Sequence, residues 1–123
     1  MAKKVLIADD EFHIRRIVAD KISKAGHIVF TAENGQEAVD IAKKEKPDII
    51  LMDLMMPVLS GIEAIKILKQ DSDMANIPIL VLTAMEFGED NDIAAVVGAN
   101  NIITKPFSPK ELLDVVNARI GEA

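Results

Sequence analysis

Short apolar runs alternate with longer amphipathic ones along the whole chain, and the two kinds of segment differ in period. Residues 5–8, 27–31, 49–52, 79–82 and 101–104 have the length and composition of strands. The third and fourth, Ile-Ile-Leu-Met and Ile-Leu-Val-Leu, are apolar on both faces, which predicts a parallel sheet covered by helices on either side. In the first intervening segment Ile14, Ile17, Val18 and Ile22 mark one face of a helix that Gly26 closes. A second helix opens near Asn34 with Glu37 three residues on, a third at Ser60 with Glu63, and the last at Ser108 with Pro109 and Glu111; each pair has capping-box spacing. Residues 89–97 read as a further helix with Ile93, Val96 and Val97 inward and Gly98 at its end, and the last helix turns Leu112, Val115, Val116 and Ile120 to the core.

Five strand-helix units in 123 residues predict one domain over residues 1–123, an α/β fold with an open, doubly wound, five-stranded parallel sheet joined by right-handed crossovers. No linker, repeat or low-complexity tract interrupts it. In such sheets ligands bind outside the carboxyl ends of the strands, near the point where strand order reverses. The residues that follow each strand are therefore where chemistry is to be sought.

Composition narrows the kind of chemistry. The chain carries 20 Asp plus Glu against 14 Lys plus Arg, a net charge of -6, which argues against direct nucleic-acid binding through clustered bases. With no Trp, no Tyr and four Phe, base stacking is equally ill served. The absence of Cys removes thiol nucleophiles, thiolate zinc sites and redox switching. No stretch approaches the ~20 apolar residues of a membrane span, and the apolar run after Lys4 is too short for a signal-peptide core, so a cytoplasmic protein with no membrane contact is the default expectation.

The strand ends carry a distinctive set. Asp9, Asp10 and Glu11 follow the first strand, Asp53 the third, Thr83 the fourth and Lys105 the fifth. Two unit charges ~5 Å apart at an effective dielectric of 20 repel by roughly 3 kcal/mol, so gathering these acids at one rim requires cations. Lys105 supplies one positive charge, and a divalent ion would supply more. Carboxylate, carbonyl and water ligands suit Mg²⁺ or Mn²⁺, and Mg²⁺ commonly accompanies phosphate oxygens, which brings a carboxylate phosphoryl acceptor into view. Taken singly, each Asp is as well explained as a cap or turn residue, Thr83 as a strand residue and Lys105 as a surface lysine. Their joint arrival at one rim is the signal. Lys105 also precedes Pro106 and Phe107, so its backbone is constrained and its bond to Pro106 is open to the cis form. The methionines read as core or rim filler, and His13 and His27 as ordinary structural residues.

Asp9-Asp10, Asp53 within Leu51-Met52-Asp53-Leu54-Met55-Met56-Pro57, Gly61, Thr83-Ala84 and Lys105-Pro106-Phe107, in this order and each at its own strand end, give a chain that resembles the receiver domain of two-component response regulators over essentially its whole length. The likeness is to the single-domain, chemotaxis-regulator type. It implies a flavodoxin-like strand order, 2-1-3-4-5, and a phosphorylation switch. Asp53 would accept a phosphoryl group from a phosphohistidine of a sensor histidine kinase or a histidine phosphotransfer protein. Asp10, Asp53 and the backbone carbonyl of Met55 would bind Mg²⁺, with Asp9 acting through the ion's water shell and Glu11 outside the ligand set. Lys105 and Thr83 would contact the phosphoryl group and reshape the face made by the helix over residues 89–97, the fifth strand and the last helix. The receiver would thus catalyse its own phosphorylation and slow dephosphorylation rather than act as a metabolic enzyme.

Three positions depart from the family's habit. Ile102 stands where Tyr or Phe usually does, three residues before the lysine, so a rotating ring cannot report the switch. Met55 and Met85, two residues after the acceptor and after Thr83, are apolar and imply slow self-hydrolysis. Residues 89–92 read Glu-Asp-Asn-Asp and residues 100–101 are Asn, without the paired acids and bases of dimeric receivers, which favours a monomer. A haloacid dehalogenase-type phosphatase is the main rival, but it needs an Asp where Met55 stands. A nucleotide- or flavin-binding module lacks any glycine-rich phosphate loop here, and a receiver-like interaction module that is never phosphorylated would not need the full set of acids, Thr83 and Lys105.

Overall fold

The computed structural model describes residues 3–83 and 101–121. The predicted helix over residues 89–97, Ala84, Met85 and the Asn at position 100 lie outside them. Within the described residues there are five strands, β1 (Lys4–Ala8), β2 (Ile28–Ala32), β3 (Ile49–Asp53), β4 (Ile79–Thr83) and β5 (Ile102–Thr104), and four helices, α1 (Phe12–Lys24), α2 (Gly35–Glu45), α3 (Gly61–Gln70) and α4 (Pro109–Ile120). The strands form one sheet in the order β2-β1-β3-β4-β5, every neighbouring pair parallel. This is the doubly wound, flavodoxin-like order expected. No helix among the described residues is long and apolar enough to cross a membrane.

The alternation of side chains explains why β1, β3 and β4 read as apolar throughout. Leu6, Ile50, Met52 and Val81 point to one face and pack with Ala38, Ala42, Ala64, Ile65 and Leu68 of α2 and α3. Val5, Ile7, Ile49, Leu51, Leu80 and Leu82 point to the other and pack with Val18 and Ile22 of α1 and Leu112 and Val116 of α4. A strand buried on both sides has no polar face to alternate with. Truncating one of these, such as Leu51→Ala, would cost about 2 to 5 kcal/mol.

The helix starts follow the sequence closely. The side chains of Asn34, Ser60 and Ser108 accept from the backbone N–H of Glu37, Glu63 and Glu111 at 2.9, 3.2 and 3.0 Å. Each satisfies one of the N–H groups that a helix start leaves unpaired. Glu37 reaches back to the N–H of Glu33 at 3.2 Å, one residue earlier than a strict capping box. After α1, Gly26 adopts φ 99°, a left-handed conformation that glycine takes without steric cost, and the chain turns into β2.

The first helix departs from expectation at Ile17, which is 53% exposed. The face on the sheet is centred on Val18 and Ile22, four residues apart, and Ile17 lies about 100° round the helix from Val18. His27 precedes β2 instead of opening it; its ring is buried and pairs through Nε2 with Oδ1 of Asn117 at 2.8 Å. Asp53 and Thr83 are the last residues of β3 and β4, so two of the expected site residues belong to the strands themselves.

Candidate functional site

All the strand-end residues singled out in the sequence lie at the carboxyl edge of the sheet. Asp9, Asp10, Glu11 and Asp53 each offer one carboxylate oxygen, and the four oxygens lie within 4.8 Å of one another. Asp9 and Asp53 are buried, whereas Asp10 and Glu11 are exposed. From the opposite end of the chain the Lys105 ammonium enters this group, 2.9 Å from Oδ2 of Asp9, 3.3 Å from Oδ2 of Asp53 and 3.3 Å from Oε1 of Glu11. One cation thus bridges three acids, two of them buried, that would otherwise repel one another.

Local hydrogen bonds fix where the acids point. Asp9 continues the β1–β2 ladder, its N–H donating to the Ala32 carbonyl at 3.1 Å. Its Oδ1 accepts the Glu11 N–H at 2.9 Å, a turn closed by the side chain two residues back. Oδ1 of Asp53 accepts the Met55 N–H at 3.1 Å in the same pattern. The Lys105–Pro106 bond is cis, and the Lys105 N–H donates to the Thr83 carbonyl at 2.7 Å, bringing the ends of β4 and β5 together. Thr83 has no exposed surface.

Electrostatics sets the two central groups apart from ordinary ones. Burial pushes the Asp53 carboxyl from its usual 3.8 up to about 6, and the charge of Asp9 adds to the rise while the Met55 N–H and Lys105 oppose it. Burial also works against the Lys105 ammonium, but its hydrogen bond and charge interaction with Asp9, followed by those with Asp53, outweigh that, and its pKa rises above the usual 10.5. A carboxylate whose ionised form is costly gains from any further cation at the site.

The donor set fits a hard divalent cation. Every clustered ligand atom is a carboxylate oxygen, neither histidine belongs to the cluster, and the sequence has no Cys. Glu11, expected to stand apart from the ligands, shares the cluster and takes part of the Lys105 ammonium. Beside the cluster a largely apolar groove of about 500 Å³ is lined by Glu11, Ile14 and Ile17 on one side and by Lys105, Phe107 and Pro109, from the segment between β5 and α4 and the start of α4, on the other.

Arg15 and Gly35 were not evident from the strand ends, whereas Gly61 stands in the motif. Arg15, on the first turn of α1, donates from Nη1 to the Asp9 carbonyl at 2.8 Å. Gly35 donates its N–H to the Leu59 carbonyl at 2.9 Å, and a Cβ there would overlap that oxygen. A Cβ on Gly61 would overlap the Asp53 carbonyl, so glycine lets α3 start directly against the end of β3.

Comparison with known proteins gives a consistent result. Residues 5–117 match the family model of the response regulator receiver domain. The phosphate regulon transcriptional regulatory protein PhoB of Pseudomonas aeruginosa is 46% identical over 114 residues, covering 92% of this chain and 49% of that protein. The chain spans about half the length of the curated relatives it matches. Among solved structures, the chemotaxis response regulator CheY4 of Vibrio cholerae superposes with a TM-score of 0.87 at 36% identity, over 96% of this chain and 98% of that one. The receiver domain of a sensor histidine kinase from Pseudomonas aeruginosa, which has a magnesium ion coordinated in its active-site cleft, gives 0.86 at 27% identity over 99% of this chain and 100% of that one. The chain belongs to the response regulator receiver domains of two-component systems, a family in which phosphorylation and Mg²⁺ binding are general properties.

Proposed function

We propose that this receiver takes a phosphoryl group on Asp53 from a phosphohistidine of a sensor histidine kinase or histidine phosphotransfer protein. The observation that carries the reading is the placement of the Lys105 ammonium 3.3 Å from Oδ2 of Asp53, within a cluster of acids that calls for a second cation. Asp10, Asp53 and the Met55 carbonyl would hold Mg²⁺, or Mn²⁺ in its place, with Asp9 acting through water. A bound divalent ion would neutralise charge on the transferring phosphoryl oxygens.

The chain's own groups supply the rest. The Asp53 carboxylate attacks phosphorus in line as the bond to the histidine nitrogen breaks, and the electron pair of that bond leaves with the imidazole. The Lys105 ammonium, already at the carboxylate, is placed to pair with a phosphoryl oxygen. The new group brings about 1.5 to 2 negative charges and fresh acceptor oxygens, which draw the Thr83 hydroxyl and Lys105 together. Their movement would be read by a downstream protein at the face built on β5, α4 and the predicted helix over residues 89–97. Ile102 is half-buried against the core face that holds Val81, so the change there is an aliphatic repacking rather than a ring rotation. Met55, 65% exposed, presents an apolar side chain beside the acceptor, and hydrolysis would be slow. The protein would act as a monomer, without direct contact to nucleic acid.

Incubation with acetyl phosphate and Mg²⁺ followed by intact mass measurement tests the reading. A gain of one phosphoryl group is expected, and none for Asp53→Asn. No gain in the parent protein would remove the assignment. Beryllofluoride should shift the backbone resonances of Ile102 and Thr83, and unchanged shifts there would sink the proposed repacking.

A further inference from the structure

Arg15 lies outside the set of acids, threonine and lysine at the strand ends, yet its side chain is only 11% exposed and both ends of its guanidinium are engaged. Nη1 donates to the Asp9 carbonyl at 2.8 Å, Nη2 meets Oε1 of Glu33 at 3.3 Å, and the group lies 5.7 Å from the centre of the Phe12 ring. The carbonyl it holds belongs to the peptide bond between Asp9 and Asp10. Asp10 is exposed, and among the described residues no hydrogen bond or ion pair restrains its carboxylate. Its position is therefore inherited from the backbone before it.

Every polar group of Asp9 has a partner. The Asp9 N–H is tied to Ala32, and both Asp9 carboxylate oxygens are taken, by the Glu11 N–H and by Lys105. The remaining acceptor of the residue is the carbonyl of the Asp9–Asp10 peptide, and the Arg15 guanidinium holds it from α1. A planar donor with two separated N–H groups can hold that carbonyl and Glu33 of the next loop at once, which an ammonium cannot.

We propose that Arg15 is a positioning residue that sets the direction of the Asp10 carboxylate and thereby the affinity of the site for a divalent cation. The proposal rests on the metal-binding reading above. Partners one step removed from a metal commonly change affinity by about tenfold or more when lost.

The test is Mg²⁺ titration of the unphosphorylated protein, followed by backbone chemical shifts under conditions where each variant is shown to be folded. Arg15→Ala and Arg15→Gln should weaken binding about tenfold, and Arg15→Lys should recover part of the loss. Arg16→Ala removes the same charge from the adjacent exposed position and should leave affinity within about twofold, which separates direction from net charge. Arg15 variants that bind as the parent does, or an Arg16→Ala loss as large as that of Arg15→Ala, would overturn the proposal. Failure of the parent itself to bind Mg²⁺, with Asp10→Asn indistinguishable from it, would instead overturn the metal-binding reading on which it stands.

Discussion

Asp9 has no exposed surface, and its carboxylate is held at 2.9 Å by Lys105, a residue 96 positions further along the chain. The pair joins the carboxyl end of β1, inside the sheet, to that of β5 at its edge. Among the described residues Lys105 is the only cation ion-paired with either buried acid of the site. Lys105→Met would leave Asp9 and Asp53 uncompensated and should lower unfolding stability by about 3 kcal/mol at neutral pH without metal. Chemical denaturation with and without Mg²⁺ checks this, and a loss that Mg²⁺ does not partly restore would contradict the charge argument.

The raised pKa of Asp53 makes stability depend on pH in the direction opposite to an ordinary paired acid. Between the unfolded value of 3.8 and the folded value of about 6, the native protein holds the proton that the unfolded chain has already lost. Stability therefore falls as pH rises through this window, and above it the whole penalty, about 3 kcal/mol, is present. In metal-free buffer the difference in stability between Asp53→Asn and the parent should grow from pH 4 to pH 7 and then level off. A difference independent of pH would contradict the assignment.

Metal removal should be visible in the same measurement. If Mg²⁺ binds the folded cluster as proposed, and not the unfolded chain, it should raise the unfolding midpoint in proportion to the logarithm of its excess over the dissociation constant. Asp10→Asn relieves repulsion, and should raise the metal-free midpoint while abolishing most of the response to Mg²⁺. Equal responses in parent and variant would place the ion elsewhere.

Val58 has φ 67° and is 82% exposed, a left-handed conformation that a β-branched residue adopts with strain. Its side chain buries little to offset that. Val58→Asn should stabilise the protein by about 1 kcal/mol, since asparagine tolerates this region. Thermal unfolding decides the matter, and a lower midpoint would mean that the valine side chain contributes packing not apparent from its exposure.

The fold was legible because burial on two faces leaves a plain trace: β1, β3 and β4 have no polar alternation, and Asn34, Ser60 and Ser108 cap the helices where spacing placed them. The site was legible because a doubly wound sheet exposes one end of every strand to the same crevice, so Asp9, Asp53, Thr83 and Lys105 could be grouped before any distance was known. Ile17 was misplaced because helical spacing fixes a stripe without fixing its centre. Arg15 and Gly35 were hidden for a different reason. Both act through backbone carbonyls, of Asp9 and Leu59, and a backbone oxygen has no letter in a sequence.

The 2.7 Å bond from the Lys105 N–H to the Thr83 carbonyl puts the ammonium and the hydroxyl on a common mount. Neither strand end can travel far without dragging the other. If Asp53 takes the phosphoryl group as proposed, Thr83 and Lys105 should answer it together, as a single all-or-none displacement and not as two graded ones.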